Sequence, residues 1–188
     1  MSLKRIFDLL LALVAATVLA VPVLLVAVLV RLTSNGPILF WSDRVGRYNA
    51  IFRMPKFRSM RVDTPAVATH LLQNPDQFLT PIGGFLRKSS LDELPQLWSI
   101  ICGDMSFVGP RPALFNQDDL VAQRTEMGVH ELVPGLTGWA QINGRDELPI
   151  PQKVTLDAEY LRRQSFGFDV KILFMTFVKV IRRDNVTH

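Results

Sequence analysis

The chain has 188 residues, 48% of them apolar, with a net charge of +4 and a pI near 9.6. That length suits one domain of ordinary size plus an anchor and leaves no room for two full domains. The single Cys102 excludes an internal disulfide and His70, His130 and His188 are too scattered for a zinc site, which fits a reducing, cytoplasmic-side domain; the positive charge leaves nucleic acid, an anionic lipid surface or a phosphorylated substrate open as partners.

From Leu9 to Val30 no residue is charged, and a helix of that length reaches roughly 33 Å at about 1.5 Å per residue, the thickness of a hydrocarbon core. A cleaved signal peptide would have a shorter apolar stretch, so the segment reads as a permanent anchor. Pro22, near the middle, removes a backbone donor and crowds the preceding turn, which predicts a kink or break. Lys4 and Arg5 precede the run, and Arg31, Arg44, Arg47, Arg53, Lys56, Arg58 and Arg61 follow it, so the positive-inside tendency draws both ends to one face. A re-entrant segment over residues 1–32 satisfies both observations; a straight span with a tolerated proline is the alternative.

The cluster Thr33 to Pro37 is a turn, and 38–41 and 50–52 predict a short hairpin around a polar turn at 43–49. Residues 62–80, with Pro65 and Pro75, read as a surface excursion carrying one short helix. Helical spacing marks 91–101, and 115–127 and 154–164 read as further helices. In the tail, 169–183, Lys171, Lys179 and Arg182 form a narrow arc beside a wide apolar one. That pattern suits an amphipathic helix in a membrane interface or one docked on the core.

Four stretches carry candidate chemistry. In Arg87 to Leu97, Ser90 and Glu93 have capping-box spacing, but Pro95 is better placed as the first helical residue. A helix starting there leaves Asp92 and Glu93 exposed just before its positive end, where adjacent carboxylates can bind a divalent cation or attack phosphorus. Gly109-Pro110-Arg111-Pro112 holds an arginine between two prolines, and Pro134 to Arg145 is a glycine-punctuated strand and turn without a phosphate-loop or dinucleotide fingerprint. Lys56 to Met60 adds further cations on constrained backbone.

Together, Lys56-Phe57-Arg58-Ser59-Met60, Ser90 to Leu97, Gly103 to Pro112 and Pro134 to Arg145 resemble the bacterial sugar transferase family, the monotopic phosphoglycosyl transferases, in its small, PglC-type members. The resemblance runs in order from Lys4 to Arg183. It implies a mainly helical α+β fold: a re-entrant membrane helix over 1–32, then a catalytic domain over 33–188 with a short hairpin and interfacial amphipathic helices. The protein would lie at the cytoplasmic face of a bacterial inner membrane. The implied reaction takes a sugar 1-phosphate from a UDP-sugar to undecaprenyl phosphate in two magnesium-dependent steps, releasing UMP, as the first membrane step of capsule, lipopolysaccharide or glycoprotein assembly. Downstream glycosyltransferases are implied as partners.

By the same resemblance Asp92 is the nucleophile and a magnesium ligand, and Glu93 its catalytic partner. Lys56, Arg87, Arg111 and Arg145 are expected to hold phosphates, and Asp157 and Asp169 are substrate contacts or structural pairs. The sequence departs from the family in three places. Val21 stands where many members have a serine before the membrane proline, so the break lacks a hydroxyl for freed backbone groups. Pro55 stands where an aromatic residue is common. Residues 145–151 resemble a subgroup associated with deoxy-amino sugars, which implies a UDP-linked N-acetylated deoxy-amino sugar as donor. Two competitors remain at this level: a tethered binding protein, and a magnesium-dependent diphosphatase. Nucleic acid is not an expected partner, because the arginines are dispersed among turns and do not alternate with aromatics on one face.

Overall fold

The computed structural model describes residues 2–65, 74–144 and 148–182. It is mainly helical with a small amount of sheet. Two N-terminal helices, α1 (Leu3–Val18) and α2 (Ala20–Thr33), meet at Leu19 and are bent by 62°. The bend falls where Pro22 withdraws its amide and presses its ring toward residue 18, one turn back. Its sharpness shows that the hydroxyl missing at Val21 is not needed for a break. Neither helix alone is long and apolar enough to cross a membrane; the bent pair together has the length and composition for it.

Each half of the pair packs one face on the domain and exposes the other. Ala12 of α1 joins a core with Ile100, Met105, Phe107, Tyr160 and Ile172. Val26 and Val30 of α2 close a second cluster with Phe57 and Leu86. Leu10, Val14, Val21, Leu25 and Leu32 are exposed.

The hairpin is longer than the sequence implies: β1 (Leu39–Val45) runs antiparallel to β2 (Ile51–Phe57), with Phe40 opposite Lys56 and Val45 opposite Ile51. The reversal is confined to 46–50, where Tyr48 and Asn49 have positive φ, so residues 43–45 join the strand. The 62–80 excursion leaves and returns side by side, with Met60 bridged to Leu79 and Arg61 N–H donating to the Phe78 carbonyl; its described part carries a single turn of 3-10 helix, Pro75–Phe78. Next come α3 (Gly83–Lys88) and α4 (Gln96–Cys102). The helical spacing over 91–101 resolves into a 3-10 turn, Leu91–Glu93, followed by α4; the break comes at Pro95, as expected of a residue that lacks the amide a continuous helix would use, and Pro95 is the N-cap of α4.

The rest of the domain is built around two short strands. β3 (Ser106–Val108) leads into β4 (Ala113–Leu114), which extends the first sheet in the order β2-β1-β4. After α5 (Asp118–Glu126), β5 (Gly135–Thr137) pairs parallel with β3. A short helix, α6 (Trp139–Asn143), stands where the sequence suggests only a turn. α7 (Ile150–Arg163) begins four residues before its expected start, since Pro151 is tolerated in a first helical turn. α8 (Phe166–Arg182) is docked by Phe168 and Ile172 in the main core while Phe174 and Phe177 stay exposed. The docked reading of the tail therefore holds for its inner face.

Candidate active site

The two adjacent carboxylates sit on the 3-10 turn between α3 and α4. Ser90, just before it, is in the left-handed region (φ 56°) although it carries a side chain, a local strain of the kind that a tightly determined site maintains. The capping box does not form: the Ser90 side chain makes no cap bond. The Glu93 carboxylate turns toward the hairpin instead, where its Oε1 accepts from Lys56 Nζ at 2.8 Å and Arg111 Nη2 at 2.9 Å. Asp92 is buried, 7% exposed, where the sequence suggested exposure. Leu91 and Leu94, on either side of the two carboxylates, pack on the α2 cluster and draw the turn inward.

The electrostatics separate the two groups. Burial pushes the Asp92 carboxyl above its ordinary value; Lys56 opposes this, neighbouring Glu93 adds to it, and Arg87 and Arg111 oppose it further. Burial acts on Glu93 as well, but Arg111 and Lys56 outweigh it and hold that carboxyl well below the usual carboxylate range. Glu93 is thus a fixed anion committed to two cations. Among the described residues Asp92 takes part in no hydrogen bond or ion pair, which leaves its oxygens available to a ligand.

Lys56 reaches the site from the face of β2 that carries Met54 inward. Arg111 comes from the loop between β3 and β4, which is pressed against β5. Gly109 N–H donates to the Thr137 carbonyl and Gly135 N–H to the Pro110 carbonyl, each at 2.9 Å. A Cβ at Gly109, Gly135 or Gly138 would overlap the facing backbone. The glycine punctuation of the two motifs is therefore one packing requirement, met from both sides. Behind the loop a cavity of about 30 Å³, bounded by Val45, Arg111, Arg124 and His130, has room for a water and not for a nucleotide.

Arg87, at the end of α3, is near enough to act on the charge of Asp92 and places Nη1 3.3 Å from the sulfur of Met60. Arg145 lies outside the described residues. Asp157 and Asp169 do not join the cluster. Asp157 is buried against Arg124, with Oδ2 2.6 Å from Nη2. Asp169 accepts from Lys4 Nζ at 2.6 Å and from the Tyr160 hydroxyl at 2.7 Å. Burial and then Asp169 push that hydroxyl's pKa up, so it remains a donor.

Sequence reasoning passed over Asp8 and Arg124. Asp8, buried in α1, accepts from Phe107 N–H at 3.2 Å; its place immediately before the uncharged run was the only signal. Arg124 stands among exposed-looking polar residues of α5 and gave none.

No group of three or more His, Cys, Asp or Glu side chains among the described residues is arranged to hold a metal ion. Magnesium commonly uses only one or two protein carboxylates together with substrate phosphates. Asp92, without a hydrogen bond or ion pair among the described residues and beside a cationic cluster, fits that donor set.

The model of the family described as bacterial sugar transferase matches residues 1–183. The chain is 41% identical over 185 residues to the UDP-glucose:undecaprenyl-phosphate glucose-1-phosphate transferase of Escherichia coli, covering 94% of this chain and 40% of that protein. It is 39% identical over 187 residues to the uncharacterized sugar transferase EpsL of Bacillus subtilis, covering 99% of this chain and 91% of that one. It is 34% identical over 198 residues to the undecaprenyl-phosphate galactose phosphotransferase of Salmonella typhimurium, covering 97% and 41%. The chain thus spans about two fifths of the length of the first and third.

Proposed function

Since the chain belongs to the bacterial sugar transferase family, we propose that it transfers a sugar 1-phosphate from a UDP-sugar to undecaprenyl phosphate through a covalent intermediate on Asp92. The observation that carries the reading is the division of labour between adjacent carboxylates: Glu93 bound by Lys56 and Arg111, Asp92 buried beside them with no hydrogen bond or ion pair among the described residues.

In the first step an Asp92 oxygen attacks the phosphorus that bears the sugar. The bond from that phosphorus to the bridging oxygen breaks, and UMP leaves with the electron pair. In the second step a phosphate oxygen of undecaprenyl phosphate attacks the same phosphorus, the aspartyl bond breaks, and Asp92 returns as a carboxylate. Two like charges about 4 Å apart repel by roughly 4 kcal/mol at an effective dielectric near 20, so an anionic nucleophile approaching a diphosphate needs cations nearby. Lys56, Arg87 and Arg111 supply positive charge around Asp92, and Arg145 is proposed to add to it. Glu93 keeps Lys56 and Arg111 oriented when no phosphate is bound. Magnesium held by Asp92 and the donor phosphates would supply further charge neutralisation. Splitting the transfer in two lets a soluble donor and a lipid acceptor react without meeting.

The exposed apolar faces of α1 and α2 support a re-entrant placement in a bacterial inner membrane, with the catalytic domain at its cytoplasmic face. That placement would hold the lipid phosphate at the depth of Asp92. For the donor, residues 145–151 favour a UDP-linked N-acetylated deoxy-amino sugar. The test is UMP release by detergent-purified protein from a panel of donors that includes UDP-glucose and UDP-galactose, with and without undecaprenyl phosphate and magnesium. Metal-dependent release of UMP is expected, limited to about one equivalent per enzyme without lipid and sustained over many turnovers with it. Release of UDP, or of nothing from any donor, would overturn the reading.

A further inference from the structure

We infer that Arg124 is a positioning residue, which, braced by Asp157, fixes the backbone of Arg111 and so aims the guanidinium that meets Glu93. The inference rests on the transfer reaction proposed above.

Arg124 on α5 is 8% exposed. Its Nε and Nη2 both donate to one oxygen of Asp157, Oδ2, at 3.0 and 2.6 Å. The remaining nitrogen, Nη1, donates to the Arg111 carbonyl at 2.8 Å. Only a planar fork makes these three bonds at once; a lysine has one nitrogen to offer. The neighbouring carbonyls are held too, Pro110 by Gly135 N–H at 2.9 Å and Pro112 by Arg44 Nη1 at 3.2 Å. Arg111 therefore hangs from three fixed points between two prolines of restricted φ. The Arg124 bond belongs to an ion pair in which Asp157 is 1% exposed. A buried pair is poor value as a source of stability, since apolar residues of similar volume often do as well or better. Its use here is geometric. The Arg124 hydrogen bonds among the described residues all go to Asp157 and Arg111, so any effect on Glu93 passes through Arg111.

The experiment uses the full chain in detergent and three changes: Arg124→Met with Asp157→Leu, Arg124→Lys, and Arg111→Gln. In the Met/Leu double variant both charges go together, so its unfolding temperature is expected to stay close to that of the unaltered protein. Its kcat for UMP release should nonetheless fall roughly 10- to 100-fold, the usual penalty for a misplaced reacting group. In the Arg111→Gln background the same double change should cost less than about twofold, because the group it positions is gone. Arg124→Lys, which keeps the charge facing Asp157 without the fork, should fold and lose a similar factor. Normal kcat and KM in a stably folded double or lysine variant, or an equal loss in both backgrounds, would overturn the inference. Should the unaltered protein release no UMP from any donor, the reaction reading alone falls. The positioning is then decided by hydrogen exchange of two amides flanking Arg111, Gly109 N–H, bonded to the Thr137 carbonyl, and Leu114 N–H, which donates to Gln117 Oε1 at 2.8 Å; exchange at least fivefold faster in the double variant is expected, and unchanged exchange would overturn it.

Discussion

At Asp92 and Glu93 one backbone step separates opposite electrostatic fates. Asp92 holds its proton more tightly in the folded chain than in the unfolded one. Its burial therefore lowers stability as pH rises from the ordinary carboxylate range through the raised folded value. Asp92→Asn is expected to raise the unfolding temperature at pH 7 while cutting UMP release by at least about a thousandfold; a variant that keeps full transfer would remove Asp92 as nucleophile. Glu93 has the opposite sign. Its depressed pKa contributes stability present above the unfolded value and lost as pH falls through the folded one. Glu93→Gln should cost about 1.5–3 kcal/mol at neutral pH, the worth of a charged hydrogen-bond partner. That difference should disappear in thermal melts at acid pH.

At the level of elements, the loop carrying Arg111 depends on contact between two strands that leaves no space for a side chain. Gly135→Ala would force a methyl group into the Gly109 backbone. It is expected to cost more than about 2 kcal/mol in denaturant unfolding, as does overpacking a well-filled interior. The bend at Leu19 is the other element that matters. In a Cys102→Ser background, cysteines at Ser2 and Ser34 should both resist a reagent confined to the periplasm. Labelling of either would argue for a straight span. The hairpin, the bend at Pro22 and the helical character of 91–101 were legible from spacing and turn residues. Pro95 also marked the break after Glu93; the 3-10 turn before it and the existence of α6 were less legible, because both are set by how neighbouring segments pack against short stretches of weak periodicity.

Across the whole molecule the N-terminal helix is wired into the catalytic domain by its polar first turns as well as its apolar face. Lys4 Nζ donates to the Val108 carbonyl at 3.0 Å and pairs with Asp169 of α8. Arg5 bonds the last carbonyls of α4, Ile100 at 2.5 Å and Ile101 at 2.7 Å, a favourable site for a cation. At the far end of α2, Arg58 is buried and donates to the carbonyls of Ser34 and Asn35. Lys4→Met would leave Asp169, 4% exposed, without its cation. The expected loss is about 2–3 kcal/mol in thermal unfolding, less than for a fully buried pair because Lys4 keeps some exposure.

The sequence by itself determined the uncharged N-terminal run, the proline that breaks it and the stretches that hold Asp92, Glu93, Lys56 and Arg111, whose motifs carry the resemblance to the family. These follow from chain chemistry that acts over a few residues and is written in order. The tertiary structure decided which charges meet: that Glu93 and not Asp92 takes Lys56 and Arg111, that Asp157 and Asp169 are bound by Arg124, Lys4 and Tyr160, and that Asp92 is buried. Those outcomes depend on residues 9 to 165 positions apart in the chain, and on a burial that changes the energy of a charge without changing any local pattern.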